Sequence, residues 1–542
     1  MVRVAAAAFV LLASVLLPAD EATFVYYFAG QRAGEERITT EAGDGYTEIR
    51  CARRFTAQGR RTDMVSTARL DDRGRYLALS MEGTSAGFEI AVELAFDPDS
   101  SRVEGSISYL GNRPADMALP PEAIPLDGSL ESLQMLVAAH DPSGPALQRF
   151  VYFEPLFPAL HDCSIELLEQ EAVRRSDEEV SVAHYFLNTS ESGAHLYANR
   201  DGEILEVVLP LAALLIVRDG WEEAIEVRLP EPDLEGEALY IEEEVTFGAN
   251  DVTIAGSVTV PDDGSGRHPA VVLVSGSGPQ DRNADTPLPG PYGLKFGIFR
   301  TIAHRLANAG FLVLRYNDYG VAPSGGAFAT HTLADRVNVA RGAVRYLQGR
   351  RDVDRRHIGI VGHSEGGIIA PIVAVEDPEV RAIVLMAGTA RPIDQVLLEQ
   401  SHALSRSDEA FAAALPILME GFRNVRSGAD WGTFAGLENQ FLGWWRSHVN
   451  HDAYDTMRRV RCRVAILCGS LDRQVLPGNA LNLALALEEG GNADYDLKIF
   501  PGLDHLFMPS TTGGRAGDYA DFRRRLSREF LAYIEQWLRD NL

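Results

Sequence analysis

A chain of 542 residues exceeds what one hydrophobic core can organise, so two domains with appendages are expected. Its formal net charge of −27, with no basic tract to offset it, argues against nucleic acid as a partner. An apolar content of 46% is that of an ordinary globular protein. Every basic residue except Lys295 and Lys498 is an arginine, which reads as coding bias rather than phosphate recognition.

Taken in chain order, residues 1–22 read as a cleavable secretory signal. Arg3 gives a basic start, Val4 to Leu17 is apolar, and Pro18, Ala19 and Ala22 offer cleavage sites. The apolar run is short for a membrane span, and no cysteine sits beside it to carry a lipid. The expectation is a periplasmic or secreted protein with no stable membrane span. Residues 23–228 then alternate polar and apolar with recurrent turns such as Gly43–Asp44–Gly45 and Asp71–Asp72–Arg73–Gly74. Strands are predicted at Phe24–Phe28, Tyr76–Met81, Glu89–Phe96 and Ser181–Leu187, and a helix at Leu130–His140 with Ser129 as its cap. The whole reads as an antiparallel, β-rich domain, curved as a half-barrel, with no catalytic constellation. Its start, Tyr26 to Glu36, resembles bacterial envelope proteins whose sheets hold lipid or protein partners. Residues 229–237, with Pro230 and Pro232 among acids, read as a linker.

Cys51 and Cys163 are candidates for pairing. Cys462 and Cys468 lie on one predicted strand, about 20 Å apart if extended, beyond disulfide reach. Their spacing does not suggest zinc.

From residue 238 to the end, strands alternate with helices. Strands are predicted at Ala238–Phe247, Val252–Val260, Ala270–Val274, Phe311–Tyr316, His357–Val361, Ala382–Met386, Val464–Cys468 and Asp496–Phe500. Helices are predicted near Phe296–Ala309, from a Thr332 cap with Asp335 in capping-box position to Leu347, at Gly367–Val375, and at Tyr519–Leu538. Residues 389–460 form a helical insertion rich in aromatics: Phe411, Phe422, Trp431, Phe434, Phe441, Trp444 and Trp445. Ordinary core packing accounts for most of these, with some placed to line an acyl pocket.

Gly362, His363, Ser364, Glu365 and Gly366 form G-x-S-x-G between the apolar run His357–Val361 and the helical run that follows. A serine at a sharp strand-to-helix turn has its hydroxyl pushed out above the sheet, and the helix N-terminus beneath it favours developing negative charge. Gly83 to Gly87 match the same pattern around Ser85. There the chain alternates as in a hairpin and no helix follows, so Ser85 is set aside. A serine nucleophile needs a base and an acid that orients it. His505 and Asp472 lie just past two predicted strands, where open α/β sheets place their ligands. Ser364 is therefore the candidate nucleophile, His505 the base and Asp472 the orienter. Asp504 is the rival acid, poorly placed as a sequence neighbour of His505, and His363 is a packing residue. The glycine-rich loop after Ala270–Val274 offers a backbone N–H for an oxyanion hole, at Ser277 or at the neighbouring Gly276 or Gly278, together with the N–H of Glu365. No lysine follows these glycines, as a phosphate loop would require.

With Ser275–Asn283 (SGSGPQDRN), Arg315–Gly320 (RYNDYG), Pro323–Gly326 (PSGG), Gly362–Gly367 (GHSEGG) and Pro501–Phe507 (PGLDHLF), residues 238–542 resemble an α/β hydrolase of the bacterial serine carboxylesterase kind, in the dienelactone-hydrolase and prolyl-oligopeptidase-like branch. The order Ser364, Asp472, His505 is the order of that family. Many relatives carry His-Gly at Ser275–Gly276, a departure that leaves backbone donors in place. Relatives often read Arg-Gly near Asp318–Tyr319–Gly320. The resemblance implies a mostly parallel eight-stranded sheet with helices on both faces and a helical lid at 389–460. It also implies hydrolysis of a small-molecule ester, with no metal and no diffusible cofactor. Two other readings compete. One is a peptidase using the same triad, against which the N-terminal half lacks repeated propeller blades. The other is a non-catalytic envelope binding protein.

Overall fold

The computed structural model describes residues 21–57, 59–120, 122–175, 178–189, 192–222, 232, 234–264, 266–404, 408–429 and 441–542. The expected signal lies outside the described residues except for Glu21 and Ala22. These two already belong to the first strand, Glu21–Phe28, where Ala22 is buried. Residues 229–231 and 233 of the expected linker, and Trp431 and Phe434 of the insertion, also lie outside them.

The N-terminal half is one fifteen-stranded sheet. Its spatial order runs from Asn112–Ala118 at one edge back to Glu21–Phe28, then from Leu214–Arg218 back to Ile124–Pro125 at the other. The first and last strands of this half thus pair in the middle, Phe24 opposite Arg218. All pairings are antiparallel except that of Ile124–Pro125 with Leu147–Glu154. Period-two patterning is plain in Phe88–Asp97, where Ile90, Val92, Leu94 and Phe96 are buried and their neighbours face solvent. A sheet this long twists and curls. Curling sets Phe96 edge-on to Phe153 at 6.2 Å and gathers both wings around one core. The helix Leu130–Ala139 plugs that core, and the Ser129 hydroxyl accepts from the Ser132 N–H at its start. Ser85 ends a strand in the hairpin with Phe88–Asp97, and its hydroxyl bonds that of Thr62 at 3.1 Å. All four cysteines are free thiols, so Cys51 and Cys163 are not paired.

The C-terminal half is an eight-stranded sheet in the order Tyr240–Ala249, Val252–Pro261, Leu312–Tyr316, His268–Val274, Val353–His363, Val380–Met386, Arg463–Gly469, Tyr495–Phe500. Val252–Pro261 is antiparallel to both neighbours, and the strands from Leu312–Tyr316 onward are parallel. Parallel strands buried on both faces need apolar residues at every position. Val272 and Val274 join one core with the helices Leu333–Gly349, Gly366–Glu376 and Gly478–Glu489, while Val271 and Leu273 join the other with Ile298–Asn308 and Arg528–Asn541. The expected capping box at Thr332 and Asp335 is formed.

The expected final helix is shorter than the sequence pattern indicates. Only a 3-10 turn, Ala516–Ala520, forms before the helix starts at Arg528, capped by Ser527. The intervening segment is claimed by the N-terminal sheet. Asn188 donates to Asp518 at 3.2 Å, the His195 Nε2–H donates to the Ala520 carbonyl at 2.9 Å, and Phe522 stacks on the His195 ring. Arg523 reaches Glu166 at 2.8 Å. These bonds satisfy side chains that a continuous helix would point elsewhere.

Between the strand Val353–His363 and the helix Gly366–Glu376 only Ser364 and Glu365 intervene. A Cβ on Gly362 would lie 2.1 Å from the Gly366 carbonyl oxygen, one on Gly366 2.2 Å from that of Val274, and one on Gly367 2.7 Å from the Gly388 Cα. The turn is therefore wedged against backbone on several sides. Gly366→Ala is expected to lower stability by about 1–3 kcal/mol or more, read as the urea midpoint. Gly349→Ala is the control, since nothing lies within 4 Å of its added Cβ; it should leave the midpoint unchanged or raised.

Candidate active site

The wedge around Gly362 and Gly366 sets the conformation of the residue between them. Ser364 has φ +55°, in the left-handed region that costs an L-residue about 1 kcal/mol or more. Its N–H is anchored to the Met386 carbonyl at 2.8 Å, and it is partly exposed while its neighbours His363 and Glu365 are buried. Gly276 of the glycine-rich loop faces it: a Cβ there would lie 3.1 Å from the Ser364 Cβ.

His505 sits on the loop after Tyr495–Phe500, and Asp472 on the loop after Arg463–Gly469. The two loops are stitched together by Ser470 N–H to the Phe500 carbonyl and Leu471 N–H to the Leu503 carbonyl, both 2.9 Å. Gly469 permits this approach, since a Cβ would lie 2.3 Å from the Leu503 oxygen. Within this frame the His505 Nδ1–H donates to Asp472 Oδ2 at 2.9 Å. The other Asp472 oxygen accepts from the N–H groups of Gln474 and Val475 at 2.9 and 2.8 Å, so the carboxylate cannot rotate away. Burial pushes the His505 pKa down, but the Asp472 charge and hydrogen bond outweigh it, and the net direction is up. With Nδ1 committed, Nε2 is the nitrogen left to take a proton. Asp504 is turned elsewhere: its carboxylate accepts from the N–H groups of Leu506 and Met508 and from Arg524 at 2.5 Å.

His363 ties Ser364 to this pair. Its Nε2–H donates to the His505 carbonyl at 3.0 Å, and the two rings lie 4.8 Å apart. Burial and the neighbouring His505 push its pKa down to about 3, so it stays neutral. It is thus a packing residue that also joins the serine turn to the histidine loop.

Sequence reasoning missed the groups beneath the glycine-rich loop. Arg336, in the helix Leu333–Gly349, donates to the Gly276 carbonyl at 3.1 Å and the Ser275 hydroxyl oxygen at 3.0 Å. It lies 3.3 Å from Asp318 and 3.8 Å from Glu365. Asp318 in turn accepts from the Ser275 hydroxyl at 2.5 Å and from the Gln280 N–H at 3.1 Å. Burial pushes the Asp318 pKa up to about 6 despite Arg336, whereas Arg336, His448 and Trp444 overcome burial and hold Glu365 at about 2. Glu365 is the meeting point with the insertion: its Oε1 accepts from the Trp444 indole at 3.0 Å and lies 2.9 Å from His448 Nε2. The insertion itself contains the helices Ile393–Leu404, Asp408–Arg426, Leu442–Val449 and Ala453–Arg459. Phe422 packs with Val425, Leu442 and Val449 in a small core, as the packing expectation for most of these aromatics has it. One signal for Arg336 was present: it falls on the apolar stripe Leu333, Val337, Ala340, Val344, Leu347, where a solvated charge has no place.

The chain matches the Alpha/beta hydrolase family over residues 271–520. It is 34% identical over 164 residues to Esterase EstD of Thermotoga maritima, an alignment covering 30% of this chain and 37% of that protein's length. Among solved structures it is similar to ferulic acid-bound Est1E of Butyrivibrio proteoclasticus, with 14% identity, 55% of this chain and 98% of that one covered, and a TM-score of 0.37. It is also similar to the Pyrococcus furiosus esterase Pf2001, with 13% identity, 58% and 98% covered, and a TM-score of 0.38. Residues 271–520 of this chain are an alpha/beta hydrolase domain.

Proposed function

We propose that this protein is a serine hydrolase that cleaves small carboxylic esters through an acyl-enzyme on Ser364. What supports this reading is Ser364 held at φ +55° on a strand-to-helix turn, next to His363, whose ring bonds the carbonyl of the His505 that is paired with Asp472. In the proposed sequence the Ser364 hydroxyl attacks the ester carbonyl while His505 Nε2 takes its proton. Asp472 holds the imidazole in the required tautomer and balances the charge that forms. The negative oxygen is received by the N–H groups of Glu365 and Ser277. Collapse expels the alcohol, which takes the proton from His505. Water activated by His505 then attacks the acyl-enzyme, and breakdown of the second tetrahedral adduct frees the acid and Ser364. Similarity to a protein named as an esterase supports the ester as substrate. The N-terminal half, a single continuous sheet rather than repeated blades, gives the peptidase reading no support.

The helices of residues 389–460 are proposed as a lid, on the strength of the Trp444 and His448 contacts to Glu365. Export through residues 1–22 is likewise proposed from Arg3 and the apolar run Val4–Leu17. No helix among the described residues is long and apolar enough to cross a membrane.

Ser364→Ala should abolish hydrolysis of p-nitrophenyl esters, by on the order of 10⁶-fold in kcat, with an unchanged melting temperature. Activity within about tenfold of wild type, or labelling of Ser85 by a fluorophosphonate, would move the nucleophile elsewhere.

The pH profile follows from His505. Only neutral imidazole accepts the proton, and its pKa is raised, so kcat/KM should fall on acidification through an apparent pKa above the ordinary ~6.5. Asp472→Asn should cut kcat by up to about 10⁴-fold and shift that limb to lower pH. Asp504→Asn should reduce stability more than kcat, because it removes the carboxylate that faces Arg524. The opposite ranking of the two variants would overturn the role given to Asp472.

Glu365→Gln tests the coupling to the insertion. It keeps the shape but weakens the hold on Arg336 and His448, so kcat should drop between about tenfold and about 100-fold. A folded variant with wild-type kcat would show that this cluster does not position the site.

A further inference from the structure

The N-terminal sheet carries a cavity of about 310 Å³ that opens to solvent, lined wholly by residues between Thr47 and Ala139 and none from the hydrolase half. That volume is at the small end of ligand sites. Its buried wall is apolar, contributed by Ile49, Leu70, Phe96, Leu119 and Ile124, while Asp97, Arg102 and Glu122 line its exposed side. The turn Asp71–Arg75 borders it, with Asp72 and Arg73 exposed to solvent. One carboxyl of the lining is buried. Glu131, in the first turn of the plugging helix, is 6% exposed, and its Oε1 has no hydrogen-bond partner among the described residues.

A buried carboxyl oxygen without a partner costs about 1–3 kcal/mol and calls for an explanation. Three neighbouring polar groups have partners of their own. Tyr26 donates to Glu36, Arg53 donates to the Asp127 carbonyl, and Asp127 accepts from the N–H and hydroxyl of Ser129. Glu131 shares a hydrogen bond with Tyr76. Burial, reinforced by the Asp127 and Glu36 charges and opposed by that Tyr76 bond, pushes the Glu131 pKa up to about 8. At neutral pH the group is therefore a carboxylic acid, which presents a donor and an acceptor side by side. A cation is not required to balance it. A hydroxyl, which both donates and accepts, is its complement.

We propose that this cavity is a second ligand site, which takes a small amphipathic alcohol or phenol with its apolar body between the sheet and the helix Leu130–Ala139 and its hydroxyl on Glu131. The site is independent of the ester chemistry proposed for Ser364. It gives the N-terminal half a binding role.

The test is calorimetric titration of the full-length protein with n-decanol and with decyl methyl ether, which accepts a hydrogen bond but cannot donate one. Wild type should bind n-decanol at one saturable site, and the ether at least tenfold more weakly. Glu131→Leu should erase that preference. Ala138→Phe, whose side chain would fill the cavity, should abolish n-decanol binding and leave p-nitrophenyl ester turnover unchanged. Ala139→Leu serves the same purpose where a thermal melt shows Ala138→Phe to be unfolded. Absence of saturable binding to wild type would overturn the proposal. So would undiminished affinity in a folded cavity-filling variant, which would put the alcohol elsewhere, or equal affinity for alcohol and ether in wild type, which would remove Glu131 from the site.

Discussion

The buried guanidinium of Arg336 is the interaction on which the candidate site hangs. It lies beneath the glycine-rich loop, bonded to Ser275 and Gly276, and is flanked by the carboxylates of Asp318 and Glu365. Taking these charges out of water is expensive, and such clusters rarely stabilise a fold more than apolar packing would. What the cluster supplies is position. Asp318 fixes the loop through the Ser275 hydroxyl and the Gln280 N–H, and Glu365 is the residue that follows Ser364. The loop and the serine turn, which come from different strands, are thereby referred to one charged group.

The same cluster extends outward. Trp444 and His448 bring the helical insertion onto Glu365, and Ser447 accepts the Leu333 N–H at the start of the helix that carries Arg336. A movement of the insertion would thus be felt at the residue beside Ser364 through two contacts rather than through a diffuse surface. On the other side of the site, the N-terminal sheet engages residues 518–523, on the segment that leads from His505 to the final helix. Arg524, at the end of this segment, holds Asp504. The proposed division between a chemical half and a binding half is therefore one of chemistry, while mechanically the N-terminal sheet braces the segment downstream of His505.

The proposed chemistry and the proposed alcohol site use burial in opposite ways. At His505 a neighbouring carboxylate outweighs burial and raises the pKa of a group that must take up a proton. At Glu131 burial prevails and keeps a carboxyl neutral. Both follow from how many charge partners a buried group is given.

What the sequence determined by itself was local or periodic. Alternation of two marked the N-terminal strands, unbroken apolar runs marked the parallel ones, and Ser129 and Thr332 marked helix starts, because these signals depend on a residue and its near neighbours. The glycine spacing around Ser364 and the positions of Asp472 and His505 just past strand ends were legible for the same reason. Tertiary structure alone decided the rest. Ser129's helix had to be seen inside the curled sheet before its Glu131 could be recognised as a carboxyl facing a cavity. The preference for Asp472 over Asp504 came from the sequence, but the contact of Asp472 with the His505 ring across 33 residues, and the capture of Asp504 by Arg524, came from the fold. Arg336 joined Asp318 and Glu365 only because three separate segments fold onto one point, and the final helix lost its first turns because Asn188 and His195, more than 300 residues earlier, compete for that segment. Such choices are made by burial and hydrogen-bond competition between distant segments, and no local pattern carries them.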